Sequence, residues 1–278
     1  MPTQKLKNLA LLILLVANLI LLSVVVPNRT ARDREADELR QSLQTLCARE
    51  QVELDPAAIP DTVTLYALEL AEDPSADLQA AKALLGDQVL VQDDSTRYLR
   101  TYQSAYGQCS LGRSGRFHAL LEDQAESGDL VKAAKQTLKR MGFTYSSLSQ
   151  PERLRAGVYS VTAVQSILDA PVFGGELTLT YSNNCLSSLD GVFFTGAGTM
   201  TRVSETTCIS AAGALVSFLS ARYDLGWVGS EILAMEQGYL RSETAAAAAV
   251  HLTPVWKLTT DTGVFYISGV TGEVTAAA

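Results

Sequence analysis

Two histidines and four cysteines bound the acid–base and metal chemistry open to this sequence. His118 follows Arg116 and Phe117, and His251 sits between an alanine run and Leu252; each lies in a strand-like stretch without a carboxylate or second ligand nearby in sequence. General acid–base catalysis needs a partner within hydrogen-bond reach, so a lone strand histidine reads as structural or surface-lying. Cys47, Cys109, Cys185 and Cys208 form no Cys-x-x-Cys pair and no zinc spacing, which leaves disulfides and isolated buried thiols both open. Gly112-Arg113-Ser114-Gly115 lacks the Gly-x-Ser-x-Gly spacing of a nucleophile elbow and reads as a hairpin loop. Gly196-Ala197-Gly198 lacks the third glycine of a dinucleotide motif. Asp93, Asp94 and the acidic clusters at 69–73 and 122–129 have no EF-hand spacing and read as solvated turns. No catalytic, cofactor-binding or metal-binding residue emerges, and the expectation is a protein that is not an enzyme.

Two features point instead to partners. Arg97, Arg100, Arg113 and Arg116 fall with Tyr98, Tyr102 and Tyr106 on one expected hairpin, a pattern that fits a partner-binding face or an ordinary half-exposed strand. Residues 9–26 read LALLILLVANLILLSVVV, eighteen positions without a charge, fourteen of them Leu, Ile or Val. As a helix this run would be about 27 Å long, close to a hydrocarbon core of roughly 30 Å. It exceeds the usual signal-peptide core, and SVVVPNRTARD offers no small-x-small cleavage site. Asn18, mid-run, would gain from an interhelical hydrogen bond. Lys5 and Lys7 on one side nearly balance Arg29, Arg32 and Arg34 on the other, and the short tail is placed in the cytoplasm because it has no other evident purpose.

The elements that must position these residues follow from periodicity. Pro27 ends the apolar run, and Thr30 with Asp33 opens a helix carrying Ala36, Leu39, Leu43, Leu46 and Cys47 on one face. Strand 63–73 and helix 77–86 precede a small antiparallel sheet at 88–92, 96–107 and 114–121, with turns at 92–94 and at Gly112 and Gly115. The acidic stretch 122–129 marks a boundary, after which the pattern restarts. A helix at 129–142 with a basic outer face, strands at 157–168 and 175–182, a helix at 207–226, a strand at 232–242 and a closing hairpin turning at Asp261-Thr262-Gly263 complete the chain. The expected fold is α+β: one N-terminal transmembrane helix, then a two-lobed extracytoplasmic region of antiparallel sheets each packed by helices. The divisions are a cytoplasmic tail at 1–8, the membrane helix at 9–26, a joint at 27–30, a first lobe at 31–125 and a second at 126–278. The net charge is −8, and setting Lys5 and Lys7 aside leaves 20 basic residues against 30 acidic ones, a surface expected to repel nucleic acid and anionic headgroups.

Taken with the acidic region that follows it, KLKNLALLILLVANLILL and the terminal PVWKL, FYISGV and TGEV segments resemble the YycI regulatory family, and the ending also resembles PepSY-like domains. The resemblance implies a non-catalytic, membrane-anchored regulator, single-pass with its bulk outside the cell. It would act with a YycH-like companion on a WalK-like sensor histidine kinase, through transmembrane and ectodomain contacts. It implies that Leu11, Leu15, Asn18 and Leu22, one stripe of the expected helix, bind the partner helix, and it implies no cofactor. The other expectation, of a different class, is a PepSY-like cell-envelope module that binds a ligand or protein without controlling a kinase.

Overall fold

The computed structural model describes residues 38–277 apart from 39, 61–62, 95–98, 123 and 243–248. Helical residues 40–49 (α1) come first, followed by β1 (Glu53–Leu54), β2 (Tyr66–Leu70), α2 (Pro74–Leu85), β3 (Leu90–Asp94), β4 (Leu99–Ser104), β5 (Gly107–Gly112) and β6 (Arg116–Leu121). Then come α3 (Leu130–Met141), β7 (Tyr145–Leu148), β8 (Glu152–Arg155), β9 (Val158–Ile167), β10 (Ala170–Ser182), β11 (Cys185–Val192) and β12 (Met200–Thr207). The chain closes with α4 (Ala211–Ala221), β13 (Glu231–Ser242), β14 (Val250–Thr260), β15 (Val264–Ser268) and β16 (Val274–Ala276).

Each helix is delimited by local chemistry. Asp73 caps α2 by accepting from the amides of Ser75 and Ala76, with Pro74 in the first turn, where a missing N–H costs nothing. Asp129 caps α3, and Gly142 ends it in the left-handed conformation at φ 75°. Ser210 caps α4 through the amide of Gly213. The buried faces are Ala80, Ala81, Leu84 and Leu85 of α2, Ala134, Leu138 and Met141 of α3, and Leu215, Phe218 and Leu219 of α4.

The described strands join in one mixed sheet with the main order β12-β2-β14-β13-β10-β11-β6-β5-β4-β3. One half, β3 to β6 with β9 to β11, carries α2 and α3 on one face over a core that includes Tyr102, Phe117, Leu138, Val161, Leu177 and Leu189. The other half, built on β13 and β14, is covered by α1 and α4 over Leu43, Cys47, Phe218, Trp227 and Trp256. A third cluster, with Leu65, Leu68, Val172, Phe194, Tyr239 and Leu252, fills the seam between them.

This corrects the expected fold class. Separate antiparallel sheets in two successive lobes are replaced by a continuous sheet, in which β6, before residue 125, pairs with β11, after it. Two pairings are parallel, β1 with β13 and β10 with β13. The physical reason is that the early strands β1 and β2 find their edges on the late strands β13 and β14, so chain order does not map onto space. The expected membrane helix at 9–26 lies outside the described residues; among those described, no helix is long and apolar enough to cross a membrane.

Candidate functional site

At the seam, a cleft of about 180 Å³ collects side chains from both halves of the sheet. Its floor and walls come from the end of β2 and the Ala71–Asp73 connection, the first turn of α2, β4, the β5–β6 turn, Phe193–Gly196, and Val250 at the start of β14. Two glycines let the backbone approach this closely. A Cβ on Gly115, at φ +80°, would stand 2.5 Å from the Phe194 ring, and one on Gly196 would stand 2.2 Å from the Ala71 carbonyl oxygen. Gly196 belongs to the Gly-Ala-Gly run, and its own role there is close packing. Phe194 is fixed by Gln165, buried at 1% exposure, whose amide donates to the Phe194 carbonyl and accepts from its N–H, each at 2.9 Å.

Arg100 is the centre of the cleft. Its guanidinium donates to Asp77 at 2.8 Å and to Glu72 at 2.9 Å, with Asp93 at 3.5 Å. Arg113 donates to the other oxygen of Glu72, and Thr195 donates to Asp77. Burial pushes the Glu72 carboxyl up, but hydrogen bonds from Arg113 and Arg100 outweigh it and hold the group below its ordinary value. Burial likewise works against the Arg100 charge, and the hydrogen bonds it donates to Asp77 and Glu72 raise its pKa above the usual value. Glu72, Asp73, Asp77 and Asp93 give four carboxylates against two guanidiniums, so the cleft carries an acidic excess. Its volume is below the roughly 300–1,000 Å³ of common cofactor pockets and suits a single side chain.

Beside the cleft the sheet ends. Among the described residues β3 pairs only with β4, leaving its other edge open. Asp93 lies on β3, and Leu90 and Val91 on the same strand are 73% and 52% exposed. An exposed apolar edge of this kind is a template for strand addition.

Of the arginines and tyrosines singled out in the sequence, Arg100 and Arg113 meet through Glu72, while Tyr102 is buried at 1% exposure and its hydroxyl is pushed up to about 12 by that burial. Tyr106 and Arg116 are exposed elsewhere, and Arg97 and Tyr98 lie outside the described residues. Leu11, Leu15, Asn18 and Leu22 also lie outside them. The four cysteines are free thiols. His118 does have a carboxylate partner, contrary to expectation: Asp190, opposite it on β11, contacts Nδ1, and Ser110 lies opposite it on β5. The pair is exposed, 45% and 56% at the side chains, on the sheet face opposite α2 and α3. His251 lies opposite Glu69 on β2. Neither carboxylate is close to its histidine in sequence, so only the register reveals them.

No family model matches the chain, and no curated protein matches it. Among solved structures, it is similar to the Bacillus megaterium YpeB C-terminal domain at a TM-score of 0.37 and 12% identity, over 75% of this chain and 99% of that one. A likeness this distant adds nothing to the reading of the site.

Proposed function

We propose that the chain is a non-catalytic binding module working outside the cytoplasm, whose acidic cleft and open β3 edge take an extended, basic and apolar segment of a protein partner. The observation that carries this is the position of Asp93, on the free edge strand and in the cleft wall at once. A strand added along β3 would make main-chain hydrogen bonds, set apolar side chains against Leu90 or Val91, and point a Lys or Arg into the acidic excess around Asp93. Charge complementarity at such a site governs partner choice more than raw affinity.

The test is fluorescence anisotropy of the full chain with a short labelled peptide alternating valine and lysine, against its valine and glutamate counterpart. Binding of the lysine peptide alone, weakened about tenfold or more by Asp93→Lys, is the expected result. Equal binding of both peptides, or indifference to Asp93→Lys, overturns it; Asp93 is 61% exposed, so its replacement leaves the core intact.

A narrower form of the same reading is control of a WalK-like sensor kinase with a YycH-like companion, supported by the likeness to the YycI family of the lysine-flanked run at 5–22 taken together with the acidic region and the closing PVWKL, FYISGV and TGEV segments. In-cell crosslinking of the full chain followed by partner identification tests it, and a crosslinked set without a histidine kinase rejects it.

A further inference from the structure

The net charge of −8 conceals a strong segregation. Residues 130–155 hold six cations, Lys132, Lys135, Lys139, Arg140, Arg153 and Arg155, against Glu152 alone, a local net charge of +5 that leaves −13 on the remainder. The structure gathers five of them, all but Arg155, on one flank. The apolar side of α3 is buried in the core through Ala134, Leu138 and Met141, which turns Lys132, Lys135, Lys139 and Arg140 outward, and all four are exposed. Both α3 and β9 start from the side of the sheet where β10 ends and β11 begins: Glu126, just before the helix, bridges Cys185, and Val158 pairs with Ser182. β8 pairs with that first part of β9. Arg153 faces Tyr159, itself opposite the core residue Tyr181, so Arg153 shares the helix-bearing face with α3, whereas Arg155, opposite Val158, lies on the other face.

None of these six cations has an ion-pair partner among the described residues, whereas Arg100 and Arg222 are paired. Lys139 and Arg140 complement the carboxyl end of the helix, but the helix dipole gives no reason for Lys132 and Lys135 in its first half.

We infer that the exposed face of α3, extended by Arg153, docks on the anionic surface of a phospholipid bilayer. Five unpaired cations complement a plane of anionic headgroups, and the acidic remainder of the molecule is repelled from it, so the two effects select a single approach with α3 down. A bilayer is favoured over an acidic protein because the same chain carries the uncharged run 9–26, whose composition suits hydrocarbon rather than water. The general repulsion from anionic headgroups expected of an acidic chain thus reverses on this face. The inference is independent of the cleft, which lies at the seam and contains none of these residues.

The experiment is amine footprinting of the full chain in lipid nanodiscs, with a water-soluble acetylating reagent and mass spectrometry. Discs of phosphatidylcholine alone are compared with discs containing phosphatidylglycerol, at low and high salt. Lys132, Lys135 and Lys139 are expected to react several-fold more slowly on the anionic discs, with the difference erased by high salt, while Lys257, on β14, serves as the reference. The double variant Lys135→Glu/Lys139→Glu should abolish the protection of Lys132. Equal reactivity on both discs overturns the inference, as does protection that persists in the double variant. Protection by added polyglutamate or duplex DNA, without protection by phosphatidylglycerol, assigns the face to another polyanion and overturns it too.

Discussion

Replacing Arg100 with methionine isolates the charge network that holds the seam. The substitution keeps an apolar stem and removes the guanidinium, leaving Asp77, which is only 7% exposed, with Thr195 as its donor and Glu72 with Arg113 alone. Two short charge-assisted hydrogen bonds are lost, at 2.8 and 2.9 Å, each worth about 1.5–3 kcal/mol. The contact to Asp93, at 3.5 Å from a carboxylate 61% exposed, adds little. Arg100 and Glu72 retain 21% and 27% side-chain exposure, so the low end applies and the expected loss is about 2–4 kcal/mol. The sign with pH follows from Glu72. A carboxyl held below its unfolded value, here 4.5, stabilises the fold above that value and ceases to do so as pH falls through the folded one. Arg100→Met should therefore cost most at neutral pH and progressively less below pH 4.5. Urea unfolding at several pH values, with the slope unchanged, measures it; Arg100→Lys, which keeps the charge but loses the fork, should fall between. A deficit below about 1 kcal/mol at neutral pH, or one that is the same in acid, refutes the argument that this ion network ties the seam.

Three further outcomes follow from individual sites. Gly107→Ala puts a Cβ 2.2 Å from the Leu120 carbonyl oxygen at φ +129°, and thermal unfolding should register a loss of about 2–4 kcal/mol. Leu138→Ala empties a fully buried position of α3 and should cost about 2–5 kcal/mol in urea unfolding, whereas its exposed neighbour Lys139→Ala should stay within about 0.5 kcal/mol. Burial pushes the Cys47 thiol up to about 11 and the Cys109 thiol up to about 12, so near pH 8 both stay protonated and sheltered. An alkylation time course read by mass spectrometry should show the half-exposed Cys185 modified first, with Cys47 and Cys109 reacting only on unfolding.

The helices were the most legible part of the sequence because their signals are local. Asp129 and Gly142 bracket α3 at the places where their side-chain and backbone chemistry put a cap and a stop. Gly86 ends α2 as expected. The helix expected over 207–226 is shorter, because Thr207 pairs with Tyr66 in the sheet and the cap falls at Ser210. The turn expected at 92–94 is instead the last part of β3, held by pairing with Leu99–Thr101; acidic residues suit an edge strand as well as a turn. The closing hairpin formed where Asp261-Thr262-Gly263 placed it, since its strands are neighbours in sequence.

What stayed illegible is the seam, and the cleft with it. β10 pairs with β9 and β11 along its later part, shifts register between Pro171 and Glu176, and runs its Val172–Phe173 stretch parallel to Tyr239–Leu240 of β13. That approach requires Gly238, where a Cβ would meet the Pro171 carbonyl oxygen at 2.5 Å and the Phe173 ring at 2.7 Å. In sequence Gly238 is one glycine inside an apolar strand, a pattern with several meanings. The same long-range closure brings Arg241 to the Ser114 carbonyl at 2.8 Å, and Glu72 to two arginines that follow it by 28 and 41 positions. Spacing rules look for ligands on one turn or one strand, and none of these pairs meets them. The charge reversal on α3 has the opposite character: it was visible as a basic helix face, and only the lack of ion pairs to Lys132, Lys135, Lys139 and Arg140 among the described residues distinguishes it from an ordinary solvated one. Local chemistry therefore defined the elements, while the partner surfaces arise where sequence-distant strands close the sheet or where charges are left unanswered after it has closed.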